Sequence, residues 1–249
     1  MLQVSRLKVY FPDNDFTAVD GIDFDIHDGE ILALVGESGS GKSLTALSIL
    51  GLQPVTAELS GEIKFDDLDL CTKPYPAGVR GKRISLIAQD PLSALNPMYS
   101  IYGQLSEAVK IYQALGERET YKLCFEYLEK VGIPDPERCL KAYPHEISGG
   151  MRQRVMIAMA IINEPDLLIA DEPTTALDVT VQAVILQLLK SLGKTILFIT
   201  HDLGVVAEIA DRVLVMKNGK IVEAGTVYDI FEKPSEDYTK HLLGAVPSL

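Results

Sequence analysis

The spacing of apolar residues changes several times along the chain, and each change marks an expected element. Polar and apolar residues alternate over 3–10, which predicts a strand, and a second strand is expected over 18–26. The unbroken apolar run 31–35 predicts a strand buried on both faces, followed by a helix over about 43–51. A further β pair is expected around 61–70, and 84–88 reads as a core strand ending at Gln89. Asp90-Pro91 and Asn96-Pro97 then break the pattern. From 99 to 131 the positions Ile101, Leu105, Val109 and Tyr112, then Leu123, Tyr127, Leu128 and Val131, recur at helical spacing. The core resumes near Ser148 with a helix over 151–163, a buried strand over 166–170, a helix over 179–192 and a strand over 194–200. A last strand, 212–216, leads into an Asn218-Gly219 turn. The expected architecture is one α/β domain with its core at 1–89 and 148–225, a helical subdomain at 90–147 and a short tail at 226–249.

The chemistry begins where the first buried strand ends. Gly36-Glu37-Ser38-Gly39-Ser40-Gly41-Lys42-Ser43 follows the run 31–35 and opens the next helix. Strand, glycine loop and helix in that order point to a nucleoside triphosphate site. Glycines let several backbone N–H groups approach one phosphate, and the positive end of the helix faces the same charge. Lys42 is expected to reach the β and γ phosphates, and the Ser43 hydroxyl to ligate magnesium.

A second candidate group lies at the end of the strand 166–170, where Asp171-Glu172-Pro173 follows. Ligands of open α/β sheets sit at the C-terminal ends of the strands. Two carboxylates there can divide the work, with Asp171 near the magnesium and Glu172 as the base that polarises the attacking water.

The composition narrows the setting. The 249 residues are 47% hydrophobic, enough for one substantial α/β domain with an inserted part. No apolar run approaches the ~20 residues that span a bilayer, and the N-terminus lacks the cationic-then-apolar layout of a secretion signal. The expectation is a chain retained in the cytoplasm, touching the membrane through protein partners. Its net charge of −12, from 35 acids and 23 bases, argues against broad attraction to nucleic acid or anionic lipid. Cys71, Cys124 and Cys139 show no metal-site spacing and read as reduced thiols.

Ile147-Ser148-Gly149-Gly150-Met151-Arg152-Gln153 adds a further anion-suited helix start. Standing alone it would read as an ordinary helix cap, as would His201-Asp202 after its strand. The order of the motifs changes that reading. Phosphate loop, Gln89, Ser-Gly-Gly, Asp-Glu, Ala176-Leu177-Asp178 and His201 together resemble the ATP-binding subunit of an ABC transporter over essentially the whole chain.

That resemblance implies a P-loop NTPase (RecA-like) core with an antiparallel β part and an inserted α-helical subdomain. It implies ATP and Mg2+ as ligands, and a head-to-tail pair of cassettes in which each ATP lies between one phosphate loop and the other chain's Ser148-Gly149-Gly150-Met151. Gln89 would touch the magnesium, Asp178 would couple the two sites, and His201 would hold the γ-phosphate and the attacking water. An upstream aromatic would stack on adenine, Phe11 by its place, with Tyr10 and Phe16 as rivals. The signature carries Ile147 and Met151 where the commonest form has Leu and Gln.

The segments 89–97, 143–146 and 170–178 narrow the resemblance to the peptide/nickel importer branch. This implies a second ATP-binding subunit, two membrane permeases, an extracytoplasmic solute-binding protein and a peripheral place at the inner face of the cell membrane. The short C-terminus resembles the nickel or metallophore subtype, which sets nickel ahead of peptide as the expected cargo. The exposed stretch 91–102, with Met98, Tyr99 and Tyr102, is the expected permease-docking surface. Two other classes remain: a soluble ABC-type ATPase of DNA repair or translation, and a non-hydrolysing P-loop switch. The ~60 residues between Gln89 and Ser148 are short for the first, and the second leaves Ser148 and His201 without a role.

Overall fold

The computed structural model describes residues 1–175 and 177–244; Ala176, quoted in a motif above, and the terminal 245–249, part of the expected tail, lie outside the described residues. Strands β1 (Leu2–Phe11), β2 (Phe16–Ile26) and β3 (Ile31–Val35) come first, then helix α1 (Lys42–Ile49) and strands β4 (Glu58–Phe65), β5 (Leu68–Asp69) and β6 (Ile84–Ile87). Helices α2 (Pro91–Ala94), α3 (Ile101–Lys110), α4 (Glu117–Lys130), α5 (Pro136–Lys141) and α6 (Gly149–Ile161) follow. Strand β7 (Leu167–Asp171), helix α7 (Val179–Ser191), strand β8 (Thr195–Thr200), helix α8 (Leu203–Ile209), strands β9 (Arg212–Lys217) and β10 (Lys220–Thr226), and helices α9 (Val227–Glu232) and α10 (Asp237–Gly244) complete the order.

Two compact units emerge, the first from residues 1–77 and 193–249, the second from 78–192. In the first, an antiparallel sheet runs β2-β1-β4-β5, and four further strands run in the order β10-β9-β3-β8. Strand β3 pairs parallel with both β8 and β9, and every residue of β3 and β8 is buried. That uniform burial is the reason the run 31–35 is apolar throughout instead of alternating. Asn218 and Gly219, at φ 47 and φ 79, turn β9 back into β10 as the Asn-Gly pair predicts.

The second unit carries the parallel pair β6 and β7, with α3 packed on α4, α5 and α6. The helical stretch expected over 99–131 is two helices. Helix α3 stops at Lys110, and α4 restarts after Gly116, whose N–H donates to Glu119 Oε2 at 3.0 Å. Cys124 and Cys139 are buried and Cys71 is half-buried, all three as free thiols. Burial pushes the Cys124 and Cys139 thiols up to about 11, so they stay protonated at neutral pH.

Candidate functional site

In the first unit the phosphate loop is shaped from behind as much as from the ligand side. Gly36, at φ 155, leaves no room for a side chain, because an added Cβ would lie 2.1 Å from the Met216 carbonyl oxygen of β9. At Gly41, φ 108, a Cβ would lie 2.7 Å from both the Ala18 carbonyl oxygen and Met216 Cε. Gly39, at φ 81, has nothing within 4 Å of the same position. The Gly219 N–H of the β9–β10 turn donates to Ser40 O at 3.0 Å. Two glycines therefore serve close packing on the strands, while the third leaves open space above the loop.

Lys42 is only 5% exposed, and its Nζ donates to the carbonyls of Gly36 at 2.7 Å and Glu37 at 2.9 Å. The Ser40 Oγ is buried without a protein hydrogen-bond partner. Ser43 is the second residue of α1, in its first turn. The β3–β8 register pairs Val35 with Thr200, so Gly36 and the exposed His201 leave adjacent strands at the same level. Asp202 caps α8 by accepting from the N–H groups of Gly204 at 2.8 Å and Val205 at 3.3 Å.

Of the three candidate aromatics, Phe11 and Phe16 face each other across the β1–β2 hairpin. The Tyr10 hydroxyl donates to Asp15 Oδ1 at 2.8 Å. Phe16 is 54% exposed and Phe11 is half-buried.

In the second unit the parallel register pairs Ile87 with Ala170, which carries Gln89 and Glu172 out of β6 and β7 side by side. Gln89 Nε2 donates to Glu172 Oε2 at 3.1 Å, and the Thr175 hydroxyl donates to the same oxygen at 2.9 Å. Glu172 takes φ 46, left-handed backbone uncommon for a residue with a side chain. Asp171 closes β7. Gln153, on α6 and 2% exposed, donates through Nε2 to the Pro173 carbonyl at 2.5 Å and ties the acidic segment to that helix.

Ser148 caps α6, its hydroxyl accepting from the Met151 N–H at 3.3 Å. Gly149 and Gly150 form the first turn, and a Cβ on Gly150 would meet Val181 Cγ1 of α7 at 3.1 Å. Asp178 caps α7, accepting from the Val181 N–H at 3.0 Å. In the stretch 91–102, Met98 is 79% exposed, and Leu92 and Tyr99 are each 60% exposed. Tyr102 is half-buried and less exposed than Met98 and Tyr99. Its ring lies 5.4 Å from that of Tyr121, and its hydroxyl donates to Glu117, so it belongs to the α3–α4 packing.

Sequence reasoning singled out the glycine loop, the acidic pair and Gln89, and the structure places Gln89 against Glu172. It quoted Gln153 and Thr175 inside longer motifs without giving them a role, and it did not single out Met216 behind the loop.

Residues 19–175 match the ABC transporter family. The dipeptide transport ATP-binding protein DppD of Bacillus subtilis (strain 168) is 51% identical over 259 residues, an alignment that covers 100% of this chain and 77% of that protein. The chain belongs to the ABC transporter ATP-binding family. The peptidoglycan transport ATP-binding protein YejF of Agrobacterium fabrum is 54% identical over 257 residues, 99% of this chain but only 47% of that longer protein. Among solved structures, the post-hydrolysis dimer of the ATP-binding cassette MJ0796 bound to ADP and Pi superposes with a TM-score of 0.78. It is 29% identical and covers 91% of this chain and 99% of that one. Family membership makes the chain an ABC-type ATPase with a P-loop α/β fold, in which the antiparallel sheet and the helices between Gln89 and Ser148 accompany the nucleotide core. Among the described residues no helix is long and apolar enough to cross a membrane.

Proposed function

We propose that this ATPase powers solute import as one of two cassettes facing head to tail, coupled to two membrane permeases and served by an extracytoplasmic solute-binding protein. The observation that supports it most is that the chain offers two phosphate-suited helix starts, one at Gly41-Lys42-Ser43 before α1 and one at Ser148-Gly149-Gly150 before α6. One ATP per chain needs only the first, whereas a head-to-tail pair uses both. The MJ0796 neighbour is an ATP-binding cassette in dimeric form, bound to ADP and Pi.

The residues fit the ligands. The open space above Gly39, the partnerless buried Ser40 hydroxyl and the Lys42 ammonium resting on two carbonyls make a cradle suited to phosphate oxygens. Ser43 in the first unit, and Asp171 and the amide oxygen of Gln89 in the second, are each oxygen donors of the kind Mg2+ takes, and we assign them as its ligands. When bound, Mg2+ neutralises charge on the phosphate oxygens. The chain's own groups do the rest. Lys42 binds β and γ oxygens, and Phe11, the aromatic we assign over Phe16 and Tyr10, stacks on adenine. Glu172 accepts the proton of the attacking water while Gln89 and Thr175 orient its carboxylate. His201 holds the γ-phosphate and that water by hydrogen bonds, and Ser148, Gly149, Gly150 and Met151 close on the phosphates bound to the paired cassette. Asp178 couples the two sites from the start of α7.

DppD and YejF are named for dipeptide and peptidoglycan transport, and a peptide is the cargo proposed here. Nickel or a metal chelate, set ahead of peptide in the sequence analysis, is the second reading. Deleting the gene in its host and measuring uptake of labelled di- and tripeptides and of radioactive nickel separates the two. Loss of peptide uptake with intact nickel uptake supports the first, and the reverse result replaces it. Met98, Tyr99 and Leu92 are the proposed permease-docking side chains, and the proposed location is peripheral, at the inner face of the membrane. Tyr99→Ala is expected to cut uptake severalfold while leaving ATPase turnover of the isolated cassettes unchanged. Lost turnover with normal permease co-purification removes the docking role.

A further inference from the structure

The phosphate loop is held by a residue far away in the sequence. The Glu37 backbone N–H donates to the Tyr238 hydroxyl of α10 at 3.2 Å, across 201 positions. The carbonyl of the same Glu37 accepts from Lys42 at 2.9 Å. One loop residue is thus gripped at both of its backbone polar atoms, by α10 on one side and by the phosphate-reaching lysine on the other.

Tyr238 is itself fixed in place. Its ring packs against the buried cluster that includes Val35, Val215 and Ile230, and Lys217 Nζ lies 4.4 Å from the ring centroid. The approach to α10 is anchored by Glu223, whose carboxylate accepts from the Ser235 N–H and hydroxyl, both at 2.7 Å, and from the Glu236 N–H at 3.2 Å. Burial raises the Tyr238 hydroxyl above its ordinary range, so it faces the loop in its neutral form.

We infer that Tyr238 is a positioning residue for ATP binding: its hydroxyl sets the Glu37 peptide, and with it the carbonyl perch of Lys42, in the arrangement that receives the triphosphate. This rests on the reading above that the loop holds the phosphates. A glycine-rich loop has many conformations to lose when it closes on a ligand, and ordering it beforehand removes that cost from binding. One neutral N–H···O bond is worth about three- to tenfold in an equilibrium constant. Tyr238 touches no reacting atom and acts only through Glu37.

Tyr238→Phe removes the hydroxyl and keeps the ring, its packing and the Lys217 contact. In the full chain, binding of a fluorescent ATP analogue and the KM for ATP should weaken about three- to tenfold, with kcat and the nucleotide-free melting temperature unchanged. Tyr238→Ala should lower the melting temperature as well, and Phe should restore that stability but not the affinity. Parent-like affinity in Tyr238→Phe overturns the inference, as does a loss of affinity matched by a fall in nucleotide-free stability. Lys42→Ala is measured alongside. If it binds ATP as well as the parent does, the phosphate-loop reading fails and takes this inference with it; if it loses binding while Tyr238→Phe does not, only the role of Tyr238 is withdrawn.

Discussion

The phosphate loop and the acidic strand end are organised by different means. The loop is set by backbone: Gly36 and Gly41 lie so close to Met216 and Ala18 that side chains are excluded, and Lys42 rests on main-chain carbonyls. The acidic end is set by side chains. Glu172 is oriented by the Gln89 amide and the Thr175 hydroxyl, and both remain exposed to substitution. A phosphate cradle needs the same shape at every turnover, so a packed backbone suits it. If Glu172 is the base proposed above, hydrogen bonds that can be exchanged singly suit a group that responds to what is bound.

The sharpest break in this comparison is Glu172→Gln. An amide cannot accept the proton of the attacking water, so hydrolysis should fall by about 10²–10⁴-fold while ATP affinity is kept. Turnover assays and size exclusion with ATP check it, and a closed, ATP-holding dimer should accumulate. Near-normal turnover removes Glu172 from the role of base.

On the backbone-built side the effect should be on folding. Gly36→Ala forces a Cβ to within 2.1 Å of the Met216 carbonyl oxygen and should cost about 2–3 kcal/mol, a melting temperature lower by roughly 5–10 °C. Gly39→Ala meets nothing within 4 Å and should carry only the left-handed backbone penalty of about 1–2 kcal/mol. Equal losses in calorimetric melting of the two variants would end the claim that the strand behind the loop shapes it.

The smallest effect belongs to Thr175→Val, which takes one donor from Glu172 and leaves Gln89. Turnover should drop about two- to tenfold, as for one neutral hydrogen bond, with ATP affinity unchanged. Combining it with Gln89→Ala should give a non-additive cycle of at least about 0.5 kcal/mol, because both donors serve the same oxygen.

Much of this contrast was legible in the sequence, and the remainder has a physical reason for being hidden. The strand 31–35, the glycine loop and the start of α1 are local, and their signal is complete within a dozen residues. So is Asp171-Glu172 after its apolar strand. The break at 111–116 escaped because apolar spacing continues on both sides of it, and only Gly116 and its Glu119 partner mark the restart. The packing of Tyr102 on Tyr121 was hidden because helical spacing does not reveal a partner on the next helix. Met216 and Tyr238 act on the loop through backbone approach and one long-range bond, and neither leaves a trace in local spacing.

Glu172 carries one further consequence. Its φ of 46 is a conformation that Gly or Asn adopts at lower cost, by about 1 kcal/mol or more for Gly. On the proposed role of Glu172 as base, stability and chemistry pull this position in opposite directions. A variant library enriched only for heat resistance should drift away from glutamate here and yield sturdier proteins that no longer turn over ATP. Any effort to harden this ATPase by selection has to hold position 172 fixed or screen for hydrolysis at every round.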